Sequence, residues 1–336
     1  MDSRLTYRAD DERYDGRMPY NRCGESGVRL PAVSLGLWHN FGSVDTFENC
    51  LAIAQCAFDN GITCFDLANN YGPVYGSAEE TFGRIMDTSF RPYRDELFIT
   101  TKAGYDMWPG PYGNWGSRKY LMSSLDQSLR RMRLDYVDLF YSHRYDPDTP
   151  LEETLQALVD IVRQGKALYA GISNYPLETL DYVFDYMRER DVPCLIYQGR
   201  LNMLDCGPAK MDILNACKDA GVGFTAFSPL AQGLLSDRYL DGRVPDDSRM
   251  ARNLFLKRDS LTPELLDKLR ALDEIAMDRG QKLSEMALAW LLRCEGVTSV
   301  LMGASSVDQL RANLKCVENL SFSQAELDEI DCIIDR

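Results

Sequence analysis

The chain holds 336 residues, of which 45% are hydrophobic and 26% charged, and its formal net charge is −14. This balance describes a soluble globular protein that can bury a large core unaided. The acidic excess disfavours nucleic acid and anionic membrane surfaces as partners. No run of about 18 apolar residues is present to span a bilayer, and the opening MDSRLTYRADDERYDGRMPY lacks the apolar core of a secretory signal. Ten cysteines without a C-x-x-C pair read as reduced, mostly buried thiols of a cytoplasmic protein, and two histidines leave little for a His/Cys metal site.

A polar arm, residues 1–17, precedes the first apolar run. Short β-rich runs then alternate with longer amphipathic segments. Val33–Leu37 reads as a strand. Val44–Asn60 reads as a helix with Phe47, Leu51, Ala54 and Phe58 on one face and Gly61 as its stop. Strands follow at Thr63–Asp66 and Leu97–Lys102, then a helix at Ser117–Arg133. The strand Val137–His143 and the helix Leu151–Gln164 come next, with Gly165 as the stop. Leu168–Ile172, Leu195–Gln198 and Gly223–Phe227 are further strands, separated by the helices Pro176–Arg190 and Met211–Ala220, the latter closed by Gly221. The helices Leu283–Arg293 and Val307–Val317 flank the last strand, Ser299–Met302.

Eight strand-like runs alternating with helices imply an α/β fold with a parallel sheet, and the count over this length favours one closed (β/α)8 TIM barrel domain spanning 1–336. The open, doubly wound alternative usually carries G-x-G-x-x-G after its first strand, and the chain has none. Two stretches interrupt the repeat, Gly104–Arg118 and Leu235–Thr262. Both follow C-terminal strand ends, the face on which barrels carry their sites.

Polar residues close several of these strands: Asp66 and, just beyond, Tyr71 in FDLANNYG, Lys102 in TTKAG, and His143 in YSHR. Barrel closure brings all four to one rim. A phenol of pKa near about 10 is a poor acid at neutral pH, and a buried lysine beside it lowers that value. An aspartate keeps the lysine charged and oriented, and a histidine can donate to a carbonyl oxygen. Together they form a proton-transfer site able to protonate a carbonyl oxygen that gains charge as hydride reaches its carbon.

From about Met18 onward the chain resembles the aldo-keto reductase superfamily. Within it, the resemblance is to the branch holding potassium channel β-subunits and bacterial L-glyceraldehyde 3-phosphate reductases. SLGLWHNFG, FDLANNYGP, TTKAGYDMWPGPYG, SLDQSL, YSHR, GKALYAGISNY, FSPLAQGLL and VTSVLMGAS carry it. The resemblance implies NADPH-dependent carbonyl reduction with Tyr71 as proton donor, supported by Asp66, Lys102 and His143. It places the nicotinamide carboxamide at Ser173, Asn174 and Gln198, with Phe227 stacked on the ring and Trp38 and Asp66 bordering it. Ser228, Pro229, Leu230, Gly233 and Leu235 are implied for the pyrophosphate, and Gly303, Ala304, Ser305, Gln309 and Asn313 for the adenosine end. Gly303–Ser306 also opens a helix whose N-terminal amides suit a phosphate. Arg238 and Arg249 are implied at the ribose phosphate, which favours NADPH over NADH.

Two departures stand out. Relatives often follow the matching glutamine with Pro and Tyr-Asn, where this chain has Gly199, Arg200, Leu201 and Asn202. They also often carry Glu where Ala312 stands. Candidate substrate walls are Trp38, Tyr71, Trp108 and His143. Arg144, Arg118 and Lys119 are candidate partners for an anionic group, and together with the resemblance they imply reduction of L-glyceraldehyde 3-phosphate or of small dicarbonyls such as methylglyoxal. The competing expectation is an NADP(H)-binding, redox-sensing regulatory subunit like the channel β-subunits. Those relatives carry Asn where His143 stands, which favours the enzyme. The branch also implies a homo-tetramer or homo-octamer.

Overall fold

The computed structural model describes residues 7–245, 250 and 256–335. Two short strands, β1 (Tyr20–Arg22) and β2 (Arg29–Pro31), pair antiparallel as a hairpin. Eight parallel strands follow: β3 (Val33–Gly36), β4 (Cys64–Asp66), β5 (Phe98–Ala103), β6 (Val137–Ser142), β7 (Ala167–Ser173), β8 (Cys194–Arg200), β9 (Gly223–Phe227) and β10 (Val297–Met302). They close in the order β10-β3-β4-β5-β6-β7-β8-β9. Helices Phe47–Asp59, Arg118–Met132, Leu151–Arg163, Leu180–Arg188, Pro208–Asp219, Leu283–Leu292 and Val307–Leu314 lie where the apolar periodicity puts them, with ends moved by a few residues. The chain is thus the expected (β/α)8 barrel.

Local chemistry explains the shifted ends. The first helix begins at Phe47 because the Thr46 side chain accepts from the amide of Asn49 and caps it. Gly61, Gly165 and Gly221 stop their helices in the left-handed region, at φ of 80°, 70° and 69°. Strand alternation sets which side chains face the barrel interior. Thr100 and Lys102 both reach Asp66, while Thr101 between them bonds the buried Glu79 of the helix Ser77–Ile85 on the outer face.

Among the described residues, elements not legible in the periodicity include the hairpin and the α-helices Ser77–Ile85, Pro263–Asp278 and Gln324–Ile334. The hairpin closes the end of the barrel where strands begin. Asn21 donates to Thr298 O at 2.9 Å, the Cys23 thiol to Leu195 O at 3.5 Å, and the Glu25 amide to Gly221 O at 2.9 Å. The polar arm is packed from Tyr7 onward: Tyr7 donates to Asp59 at 2.6 Å, and Arg13 lies over the Phe58 and Tyr93 rings while pairing with Glu96 at 2.7 Å. All ten cysteines are free, and all but Cys206 and Cys332 are buried. No helix of the described residues is long and apolar enough to cross a membrane.

Candidate active site

Register and backbone bonds assemble the four rim residues. Asp66 lies opposite Thr100, and Lys102 opposite Tyr141. Beyond β4 the chain keeps running along β5, with the Leu67 amide on Thr100 O and the Asn69 amide on Lys102 O, both at 2.9 Å. It then turns, and Tyr71 is fixed by its amide on Ala68 O at 3.0 Å and by the Ala78 amide on its carbonyl at 3.2 Å. The His143 amide bonds Ala103 O at 2.9 Å, which sets the imidazole beside β5.

Asp66 and Lys102 form a pair that solvent does not reach, at 2% and 0% side-chain exposure, with Lys102 Nζ 2.5 Å from Oδ2. A buried charge pair is stable only when its remaining polar positions are bonded. Asp66 Oδ1 accepts from Thr100 Oγ1 at 2.7 Å and from Gln198 Nε2 at 2.9 Å, and Lys102 also donates to Leu67 O at 2.6 Å. The ammonium then lies 4.9 Å from the centroid of the Tyr71 ring, close enough for a cation–π contact. The Tyr71 and His143 ring centroids are 6.0 Å apart, and the Trp38 ring lies 6.3 Å from Tyr71.

Burial first, then the negative charge of Asp66, raises the Tyr71 phenol well above its ordinary pKa. This reverses the expected lowering by Lys102. Lys102 itself is lowered by burial, opposed by Asp66. His143 is held well below 6.5 by burial and by the positive charges of Lys102 and Arg144, and its buried Nδ1 has no hydrogen-bond partner. At neutral pH the site therefore presents a protonated phenol beside an uncharged imidazole. Both can donate to a carbonyl oxygen.

Two features of the mouth bear on the candidate substrate residues. The Trp108 ring packs on Tyr120 at 5.2 Å, and the loop ring that meets His143 is Tyr105, at 4.7 Å and edge-on. The basic residues are also engaged elsewhere. Arg144 donates to Gly104 O at 2.7 Å and to Asn114 Oδ1 at 2.8 Å, Arg118 pairs with Asp160, and Lys119 lies 5.3 Å from the Tyr112 ring.

The remaining predicted residues line the other strand ends. Ser173 is buried opposite Gln198. Asn174, at φ 55°, donates to His143 O at 3.1 Å and to Ser173 Oγ at 3.0 Å. Phe227 ends β9, half-buried. Beyond it Ser228, Ala231, Gln232 and Gly233 take φ of 52°, 47°, 60° and 102°, so that Pro229, Leu230 and Leu235 belong to one tight turn. Gly303 and Ser305 are exposed after β10. The Ser305 amide and hydroxyl both donate to Gln309 Oε1, at 2.8 and 2.9 Å, and the Gln309 amide donates to Ser306 Oγ at 3.2 Å. The amides expected to meet a phosphate are thus partly bonded within the turn. Arg238 is exposed in a short turn, Asp237–Tyr239, and Arg249 lies outside the described residues.

This strip fits an extended polar ligand. Two of its buried polar atoms, Gln232 Oε1 and Asn313 Nδ2, have no hydrogen-bond partner, and consecutive left-handed residues form the kind of backbone concavity that accepts anions. The departures are accommodated locally. A side chain at Gly199 would lie 2.7 Å from the Phe224 ring, Arg200 pairs with Asp205 at 2.9 Å, and Asn202 Nδ2 donates to Ser228 O at 3.1 Å, bracing the turn after β9.

The chain is similar to known proteins over nearly its whole length. The model of the Aldo/keto reductase family matches residues 32–335. L-glyceraldehyde 3-phosphate reductase of Escherichia coli (strain K12) is 55% identical over 332 residues, covering 97% of this chain and 95% of the relative. A probable voltage-gated potassium channel subunit beta of Arabidopsis thaliana is 33% identical over 324 residues, covering 94% of this chain and 97% of the relative, and one of Oryza sativa subsp. japonica is 32% identical over the same length. The chain belongs to the aldo/keto reductase family, and it is an oxidoreductase.

Proposed function

We propose that this protein reduces small aldehydes and ketones with NADPH, with Tyr71 as the proton donor and L-glyceraldehyde 3-phosphate and methylglyoxal among its substrates. The observation that carries the reading is the convergence of a bonded Asp66–Lys102 pair, the Tyr71 phenol and an uncharged His143 on one rim. When bound, the nicotinamide supplies the hydride. Ser173, Asn174 and Gln198 would hold its carboxamide and Phe227 its ring. The turn Ser228–Leu235 would hold the pyrophosphate, Gly303, Ser305, Gln309 and Asn313 the adenosine end, and Arg238 and Arg249 the ribose phosphate.

The protein's own groups do the rest. Tyr71 keeps its proton at neutral pH and gives it to the substrate oxygen as charge develops there. Lys102, fixed by Asp66 and Leu67 O, places a positive charge under the phenol and stabilises the phenolate left behind. His143 donates to the same oxygen and orients the carbonyl. The name of the Escherichia coli relative supports the phosphorylated substrate, whereas Arg144 and Arg118, both engaged within the protein, give it no local support. The reading also places the protein in the cytoplasm as one barrel domain that forms homo-tetramers or homo-octamers.

Cofactor oxidation followed at the nicotinamide absorbance tests it. NADPH should be consumed with glyceraldehyde 3-phosphate and methylglyoxal, and preferred over NADH. Equal kcat/KM for phosphorylated and unphosphorylated aldehydes would remove the phosphate part. Tight NADPH binding without turnover of any aldehyde would favour the redox-sensing subunit.

A further inference from the structure

The loop 104–118 is fastened to the residue that follows His143. The Arg144 guanidinium lies 3.5 Å from the Trp115 ring centroid on one side and 4.3 Å from the Tyr105 ring on the other. Its Nε and one terminal nitrogen reach Gly104 O and Asn114 Oδ1. Asn114 in turn bonds Asp106 and the amide of Trp115, and Trp115 is held at φ 71°, a left-handed conformation unfavourable for a tryptophan. The Tyr105 carbonyl accepts from the Tyr120 hydroxyl at 2.5 Å, and its ring edge meets His143 at 4.7 Å. Trp115, Arg144 and Tyr105 therefore form a stack that runs from solvent to the perpendicular Tyr105–His143 contact at the rim. A planar guanidinium between two rings, with its donors spent on backbone and amide oxygens, is a rigid spacer that lysine cannot reproduce.

We propose that Arg144, acting through Tyr105, is a positioning residue that fixes the orientation of His143. Its positive charge, after burial and the Lys102 ammonium, also opposes protonation of that imidazole. The inference rests on the reading of His143 as a carbonyl-facing group. The surroundings of His143 are consistent. Among the described residues, Lys102 from β5 and Arg144 beside it in the chain are positive charges that oppose its protonation, while the Tyr71 and Tyr105 rings meet it at steep angles and Asn174 bonds its carbonyl. Its Nδ1 has no partner, so no hydrogen bond from that atom fixes the ring. Packing from the stack is what remains to orient it.

With two histidines in the chain, His143 can be followed individually by NMR, its resonance assigned through its loss in His143→Gln. In the wild-type protein His143 should be uncharged at neutral pH. In Arg144→Met its midpoint should rise, because one of the two nearby positive charges that oppose protonation is gone, and kcat should fall by about tenfold at unchanged NADPH affinity. Arg144→Lys keeps the charge and loses the stack, so its midpoint should stay near wild type while kcat still falls. A His143 midpoint unmoved in Arg144→Met would overturn the proposal. So would wild-type kcat in Arg144→Lys, and this second variant decides the matter if Arg144→Met does not fold. The titration reads His143 with or without turnover, so a failed reductase reading and a failed positioning role give different results.

Discussion

The ends of β4 to β6 and the ends of β9 and β10 are built in opposite ways. At the first, the Asp66 oxygens and the Lys102 ammonium are bonded and closed to solvent. At the second, the chain turns through consecutive left-handed residues, leaves Gln232 Oε1 and Asn313 Nδ2 without partners, and exposes Gly303, Ser305 and Arg238. Proton-transfer chemistry depends on side chains held to within a fraction of an ångström, and at the first region the protein's own bonds hold the Asp66–Lys102 pair in that way. The second is shaped by backbone and suits a ligand that brings its own polar groups.

Substitutions in the two regions should therefore fail differently. Lys102→Met leaves Asp66 charged and buried without its cation. It should cost about 3–5 kcal/mol of stability by chemical denaturation and about 10²–10³-fold in kcat. A stable variant with near-normal kcat would show that the pair is not a unit. Gln309→Ala frees the Ser305 amide and hydroxyl but removes a polar group from the adenosine end. NADPH should bind about fivefold more weakly, in line with the loss of one net hydrogen bond of about 1 kcal/mol, with kcat retained. A fall in kcat without a change in affinity would erase the distinction between the regions.

Much of the first region was legible because each of its residues closes or follows an apolar strand, and strand ends of a parallel barrel share one rim. Tyr105 was not, because it lies in a Gly- and Pro-rich loop without periodicity, and Trp108 was the more conspicuous ring. Arg144 and Arg118 read as partners for an anion because the sequence shows their charge but not the Trp115 ring or the Asp160 carboxylate that engages each. The raised phenol of Tyr71 was missed for a related reason: proximity to Lys102 was legible, while the extent of burial and the field of Asp66 were not. The hairpin Tyr20–Pro31 escaped because three-residue strands are too short to show an alternation.

The most direct test of the account is single-turnover reduction of methylglyoxal by Tyr71→Phe, with NADPH affinity measured in parallel. The phenylalanine keeps the ring over Lys102 and removes only the hydroxyl that carries the proton. The account predicts unchanged NADPH binding and a chemical step slowed by about 10²–10⁴-fold. A variant that binds NADPH and reduces the aldehyde at the wild-type rate would contradict it.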